Sequence, residues 1–290
     1  MITCTELPSR GVGELVSPLG RHEFALWWLG QAGFAIRFRD HSLLIDPYLS
    51  DHLAAKYAGT EFPHFRMMPP PIAPTEVKSL DWCLCTHRHS DHMDPGTLPE
   101  LARENPNCLF VLPRAEGRHA VEIGVPATHR ILLDDGDRFE PEADVSILAV
   151  ASAHETVERD ADGLCRFLGY VIRLGRITLY HSGDCVPYDG LADRLKSSGV
   201  HVALLPVNGR DENRRRRGIP GNFTLSEALS LRKKAGIRFL IVHHFGMFDF
   251  NTVDPQVMRS QIREMKLEDT CFVPEIGRAM LFSCPPAGTA

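Results

Sequence analysis

The sequence predicts a single α/β domain. β-rich runs open the chain, strands then alternate with helical segments, and no shift in composition marks a linker. The opening runs are 24–29 (FALWWL), 34–38 (FAIRF) and 42–45 (SLLI). Gly30, Gly33 and the Arg39–His41 turn separate them, which is the pattern of an antiparallel meander. Residues 61–74 (EFPHFRMMPPPIAP) hold too much proline for a regular element and are expected to form a long surface loop. Strand 82–86 (WCLCT) runs into HRHSDHMD, and Asp94-Pro95 reads as a helix N-cap followed by proline at the first helical position.

Strands and helices then alternate through 109–112, 115–122, 128–132, 145–151, 166–173 and 176–181. A helix near 189–197 precedes an apolar strand at 202–207. Thr224 and Glu227 have the spacing of a capping box, which opens a helix to about 235. Strand 238–243 follows, Asp254-Pro255 starts a helix to about 266, and strand character returns at 270–273 and 279–283. There is no internal repeat, so residues 1–290 are expected to form one domain.

Composition excludes several function classes. With 43% hydrophobic and 24% charged residues, the chain is neither disordered, collagenous nor a coiled coil. A formal charge of −5 leaves no global field suited to nucleic acid or an anionic membrane. No apolar window is long enough to insert into a bilayer, which takes about 18 residues. The first twenty residues lack the basic-then-apolar layout of a secretory signal. The eight cysteines include no CxxC pair, so reduced thiols and a cytoplasmic location are expected. Histidine is the unusual count, at 14.

His87-Arg88-His89-Ser90-Asp91-His92 is the strongest local signal. An extended backbone leaving strand 82–86 points His87 and His89 to one side. The bend toward the next helix then turns Asp91 and His92 toward a second centre. Imidazoles with a carboxylate suit Zn²⁺, Mn²⁺ or Fe²⁺, so this hexapeptide can feed two adjacent ions. Four ligands are too few for two ions, and the chain offers more at strand ends. His154 follows 145–151, Asp184 follows 176–181 after a turn-permitting Gly183, and His243 and His244 end 238–243. Any one of them alone would read as a packed histidine or a turn aspartate. Their joint placement points to a site.

HRHSDH followed in order by His154, Asp184 and His244 resembles the metallo-β-lactamase superfamily. Segments 24–33, 81–94, 178–185, 202–228 and 241–256 are similar to the L-ascorbate-6-phosphate lactonase family. The resemblance implies a four-layer αββα sandwich with a dinuclear site at one edge. It also implies that His87, His89 and His154 hold one ion, that Asp91, His92 and His244 hold the second, and that Asp184 bridges them. His244 is preferred to His243 because His-Phe-Gly matches the family's His-aromatic-Gly pattern. Two divalent ions, Mn²⁺ or Zn²⁺ with Fe²⁺ also compatible, and a homo-oligomer are further implications.

Two ions about 3.5–4 Å apart generate hydroxide near neutral pH, which suits hydrolysis. Asp91 is expected to orient the nucleophile or to pass a proton to the leaving group, and His181 to assist or to orient a ligand. Residues 208–218 (NGRDENRRRRG) carry five arginines against two acids, a candidate clamp for a small anionic substrate. Arg210 and Arg214 are the favoured contacts, with Asn222 from the same family-like segment. The expected reaction is opening of a sugar-phosphate-like lactone. A phosphodiesterase on a cyclic nucleotide or phospholipid head group, and a non-catalytic metal-binding protein, are the alternatives. One arginine cluster is not the long basic track of a nuclease.

Overall fold

Burial in the first strands sets the layers. In the computed structural model, which describes residues 1–8, 11–12 and 19–284, the first half of the chain supplies most of one sheet. Its elements are β1 (Thr3–Pro8), β2 (Glu23–Gly30), β3 (Gly33–Phe38), β4 (His41–Ile45), α1 (His52–Lys56) and β5 (Trp82–Leu84). Next come α2 (Leu98–Glu104), β6 (Leu109–Pro113), α3 (Gly117–Glu122) and β7 (Arg130–Leu133). The second sheet draws on β8 (Arg138–Glu142), β9 (Val145–Ala151), β10 (Leu168–Leu174) and β11 (Ile177–His181). It continues through α4 (Leu191–Ser197), β12 (Val202–Pro206), α5 (Glu212–Arg216), α6 (Leu225–Ala235) and β13 (Phe239–His243). The described chain ends with α7 (Pro255–Glu264), β14 (Cys271–Phe272) and β15 (Arg278–Ser283).

Phe24, Leu26 and Trp28 of β2 join a cluster with Ile147, Ile172 and Leu204 of the second sheet. The alternate residues Ala25, Trp27 and Leu29 pack on Leu98 and Leu101 of α2 and Ala120 of α3. Side chains alternate along a strand, so an apolar run in which every residue is buried needs cover on both faces. Leu191 and Leu195 of α4 with Ala228 and Leu231 of α6 cover the second sheet. The result is the expected αββα sandwich. Each buried large apolar side chain contributes roughly 1.5–3 kcal/mol, which makes the inter-sheet layer the main source of stability.

The sheet order puts the functional strand ends together. One sheet runs β1-β15-β2-β3-β4-β5-β6-β7 and the other β14-β13-β12-β11-β10-β9-β8. β2, β3 and β4 form an antiparallel meander, as expected, and β4 to β7 are parallel. β2, β4 and β5 therefore end on the same edge. In the second sheet β11, β12 and β13 are parallel, and β9 shares their direction through the antiparallel β10. Its strand ends before His154, Asp184 and His244 likewise share one edge. Loops beyond such edges can carry polar ligands while both sheet interiors stay apolar.

Differences from the sequence reading lie at weakly patterned segments. β8 carries Arg, Glu and Pro and is half exposed, so its sequence gave no apolar signal. β1 also lies outside the sequence reading, and it pairs antiparallel with β15 along its length. Asp94-Pro95 does not open α2 directly. Asp94 accepts from Gly96 N, Thr97 Oγ1 and Ser50, which closes a turn before the helix begins at Leu98. The Thr224–Glu227 capping box forms as expected. All eight cysteines are free thiols. Among the described residues, no helix is long and apolar enough to cross a membrane.

Candidate metal centre

Strand β5 ends one residue before Cys85, whose amide still bonds Val111 O, and the chain then leaves the sheet at Thr86. The Asp46 carboxylate receives Thr86 N at 2.8 Å and Thr86 Oγ1 at 2.6 Å. Residues 87–92 then turn tightly, with the His92 and Met93 amides on His89 O. This turn presents His87 and His89 to one centre and Asp91 and His92 to another. Two groups of potential ligand atoms result, each within 4.8 Å of one another: His87, His89, His154 and Asp184, then Asp91, His92 and His244.

Asp184 lies between the groups. Its Oδ1 is 3.2 Å from His244 Nε2 and 3.4 Å from His92 Nε2, while Oδ2 is 3.9 Å from His154 Nε2. Asp91 Oδ2 is 3.8 Å from His92 Nε2 and 3.9 Å from His244 Nε2. Several of these atoms are buried without a hydrogen bond: His92 Nε2, both nitrogens of His154 and Asp184 Oδ1. Buried polar atoms left this way cost free energy unless something else binds them. The donor set of imidazole and carboxylate fits borderline divalent ions, so the residues present suit a metal.

Electrostatics agree. Burial lowers the pKa of His154 to about 4 and that of His87 well below its usual value, leaving neutral lone-pair donors. Burial opposes charge on His92 as well, but Asp184, Asp46 and Asp91 surround it and hold its pKa well above the ordinary range. Burial likewise opposes the Asp184 charge, yet His244 and His92 keep its pKa well below the usual carboxylate value. Converging carboxylates thus favour positive charge at this spot. A metal ion supplies that charge on binding.

The orienting contacts are specific. His92 Nδ1 is 2.7 Å from Asp46 Oδ2, which leaves Nε2 facing the cluster. Thr86 gives its single hydroxyl proton to Asp46, so its 3.1 Å contact with His87 Nδ1 is donated by the ring, and His87 Nε2 also faces the cluster. One buried carboxylate therefore sets the tautomer of two ligands. Gln31 donates to Asp91 Oδ2 at 2.8 Å, and its backbone oxygen accepts from His244 N at 2.9 Å.

Gly183 makes room for this arrangement. It adopts φ +60°, and a Cβ there would lie 2.6 Å from Thr86 Oγ1. Gly183→Ala is therefore expected to cost about 1–2 kcal/mol for the left-handed backbone and about 1–3 kcal/mol for the overlap. Because the displaced group is the Thr86 hydroxyl, bound metal should fall as well. Denaturant titration and metal analysis of the same preparation check both effects.

A family description of a beta-lactamase superfamily domain matches residues 41–245. The chain belongs to this superfamily. Among relatives, a metal-dependent hydrolase from Myxococcus xanthus is 25% identical over 260 residues, covering 87% of this chain and 80% of that protein. A probable L-ascorbate-6-phosphate lactonase from Escherichia fergusonii is 25% identical over 268 residues, covering 81% and 73%. Among solved structures, an isothiocyanate hydrolase from Delia radicum gut bacteria aligns with TM-score 0.72 at 21% identity, covering 90% of this chain and all of that one. With its His/Asp cluster in place, the chain is a metal-dependent hydrolase.

In this beta-lactamase superfamily domain the second-ranked expectations fare differently from the ligands. His244, not His243, reaches the cluster. His243 stacks on His181 with ring centroids 4.9 Å apart and meets Phe34 edge-on. His181 is not placed to move protons in the cleft. It is fully buried, its Nε2 lies 2.9 Å from Ala32 O, and its Nδ1 accepts from Gly183 N at 3.0 Å. Both ring nitrogens hold backbone, so its role is to fix the turn that carries Asp184.

The arginine clamp also needs correction. Arg210 pairs bidentately with Glu227, at 2.6 and 2.8 Å. Arg214 is taken up by Asn208 O, Asn251 Oδ1 and Asp211, and Arg215 and Arg216 by Glu212. Asn222 is buried, bonded to Asn208 and receiving Cys185 N at 2.8 Å, so it braces the residue after Asp184. None of Arg210, Arg214 and Asn222 lines the cleft over the cluster, whereas Arg217 does. Helix α5 rotates the arginine run so that one member, rather than all, reaches the opening.

Sequence reasoning missed Asp46, Gln31 and the cleft walls. Asp46 follows the apolar strand SLLI directly, as Asp184 follows its own strand, and that position was the available signal. Gln31 sits in the Gly30–Gly33 turn with φ 50°, where only its backbone strain hinted at a function. The proline-rich loop is pinned in place: Arg66 donates to Tyr48 O, Ser50 O and Met68 O, and Met67 N bonds Met247 O.

Proposed function

We propose that the protein hydrolyses a lactone or ester of a small anionic substrate at a dinuclear centre. His87, His89 and His154 would hold one divalent ion, zinc or manganese, and Asp91, His92 and His244 the other. The position of Asp184 carries this reading, because its two oxygens face different ligand groups. Bound there, the ions would supply a hydroxide nucleophile near neutral pH and polarise the scissile carbonyl.

The chain's own residues account for the rest. The cleft over the cluster encloses about 770 Å³, the size of a small-molecule site. Lys56 and Arg88 line it, beside Arg217 which pairs with Glu61, and offer positive charge to an anionic group on the substrate. Asp91 lines the same cleft with its Oδ2 held by the Gln31 amide, and as an ionised carboxylate it would take up the proton released by the attacking water and pass it to the leaving alkoxide. Ring opening then produces a carboxylate and an alcohol on the same product. Similarity to the probable lactonase from Escherichia fergusonii supports the lactone over other esters.

A paired assay tests this. Metal-loaded protein is offered a sugar-phosphate lactone and bis(p-nitrophenyl) phosphate under Mn²⁺ and under Zn²⁺. Turnover of the lactone at least tenfold above the diester is the expected result. Activity confined to the diester would replace the lactonase reading with a phosphodiesterase at the same centre.

A further inference from the structure

The outer wall of the cleft is aromatic, and the chemistry at its floor does not require that. Tyr57, Phe62, His64, Phe248 and Phe250 line it, drawn from the residues after α1, the proline-rich loop and the loop after β13. The rings form a continuous set. His64 stacks on Tyr57 with centroids 4.2 Å apart and meets the edges of Phe248 and Phe250 at 4.9 and 4.8 Å. Phe250 stacks on Phe248 at 5.9 Å and tilts against Phe62 at 5.1 Å. Arg217 rides over Phe62, 5.3 Å from the ring centroid, and pairs with Glu61 at 2.9 Å.

This wall is held rigidly. His64 Nδ1 lies 2.7 Å from Phe62 O, and a carbonyl only accepts, so that nitrogen carries the proton and the ring cannot turn freely. Burial lowers the pKa of His64, so near neutral pH the ring is an uncharged aromatic surface. Tyr57, Phe62, His64 and Phe250 are only partly buried, which leaves ring surface open to the cleft. Apolar surface in the wall of a cavity with a charged floor is a recognition feature, because it gains free energy when an apolar group covers it, and more when that group is a ring that can stack.

We propose that this wall is a substrate subsite selecting a flat aromatic or unsaturated ring beside the hydrolysed bond. The proposal rests on the hydrolase reading for the identity of that bond, but not for the ring preference itself. The ring stacks against the open surface of Tyr57, Phe62, His64 and Phe250, with the buried Phe248 behind them, while the reactive carbonyl reaches the Asp184 cluster. A saturated aliphatic group of similar charge lacks the π-face and is held more weakly.

Calorimetric titration of the zinc-loaded protein with phenylphosphonate and with methylphosphonate tests this without turnover. Phenylphosphonate should bind about tenfold more tightly or better, the order expected of aromatic stacking plus ring burial. Phe250→Ala and the more conservative, still apolar Phe250→Leu should each remove most of that preference while methylphosphonate affinity stays within twofold. Equal affinity for the two ligands in the wild type would overturn the subsite. A parallel loss for both ligands in Phe250→Leu would do the same, because it would make the ring a packing element. Ring preference without turnover of any ester would instead remove the lactone and ester reading and leave the subsite standing.

Discussion

Replacing Asp184 with asparagine is expected to abolish turnover and to lower bound metal. The carboxylate approaches His92 and His244 with one oxygen and His154 with the other, so both ligand groups lose charge in one substitution. Asparagine keeps the size and leaves one neutral acceptor, which separates loss of charge from loss of packing. Removing a single electrostatic stabiliser from an active site lowers kcat by about 10²–10³, and if Asp184 is shared by two ions as proposed, its loss should lie at or beyond the upper end. Stability of the metal-free protein should fall as well. His244 and His92 hold the Asp184 pKa well below the usual carboxylate range, so the ionised carboxylate stabilises the fold near neutral pH, and the metal-free variant should unfold earlier than the metal-free parent. Steady-state kinetics, metal analysis and thermal unfolding on one preparation check the three outcomes together. Full activity in Asp184→Asn would remove the residue from the centre.

The second large effect belongs to Asp46, which no ligand pattern marks. It is completely buried and receives Thr86 N, Thr86 Oγ1 and His92 Nδ1 between 2.6 and 2.8 Å. Asp46→Ala leaves those donors without an acceptor, and breaking a buried charged pair in this way costs about 3–5 kcal/mol. Asp46→Asn keeps part of the hydrogen bonding and should fold better. Its amide cannot accept all three donors, so the His92 and His87 rings lose their fixed tautomers, and metal affinity should fall about 10–100-fold. A chelator competition series on Asp46→Asn measures that change. Unaltered metal affinity would mean that the rings are oriented without it.

The metal ligands were legible because metal chemistry demands particular side chains in a fixed order. HRHSDH concentrates four of them in one turn, and His154, Asp184 and His244 each follow an apolar strand. The sandwich was legible only through the resemblance these motifs carry; the structure supplies its physical reason, since β2 reads FALWWL without a polar interruption and is covered on both faces. Arg210 and Arg214 failed as clamp residues because a charge run carries no information about direction. Only the short helix α5 and the partners Glu227, Asp211 and Asn208 decide that these guanidinium groups face the protein and that Arg217 reaches the cleft. Of the two roles expected for His181 only the orienting one stands, and its sequence position could not show that Ala32 O and Gly183 N occupy both ring nitrogens and so exclude proton transfer. Asp46 and the aromatic wall depend on contacts between segments far apart in the chain, such as His92 with Asp46 and His64 with Phe250.

The proposed dinuclear centre is tested most directly by metal stoichiometry followed through activity. Protein stripped with chelator is reconstituted in steps with Mn²⁺ or Zn²⁺, and bound metal and lactone turnover are measured at each step. Saturation at about two ions per chain, with activity appearing as the sites fill and absent from the stripped protein, is the predicted result. Full hydrolytic activity in protein free of metal, or saturation at a single ion with full activity, would contradict it.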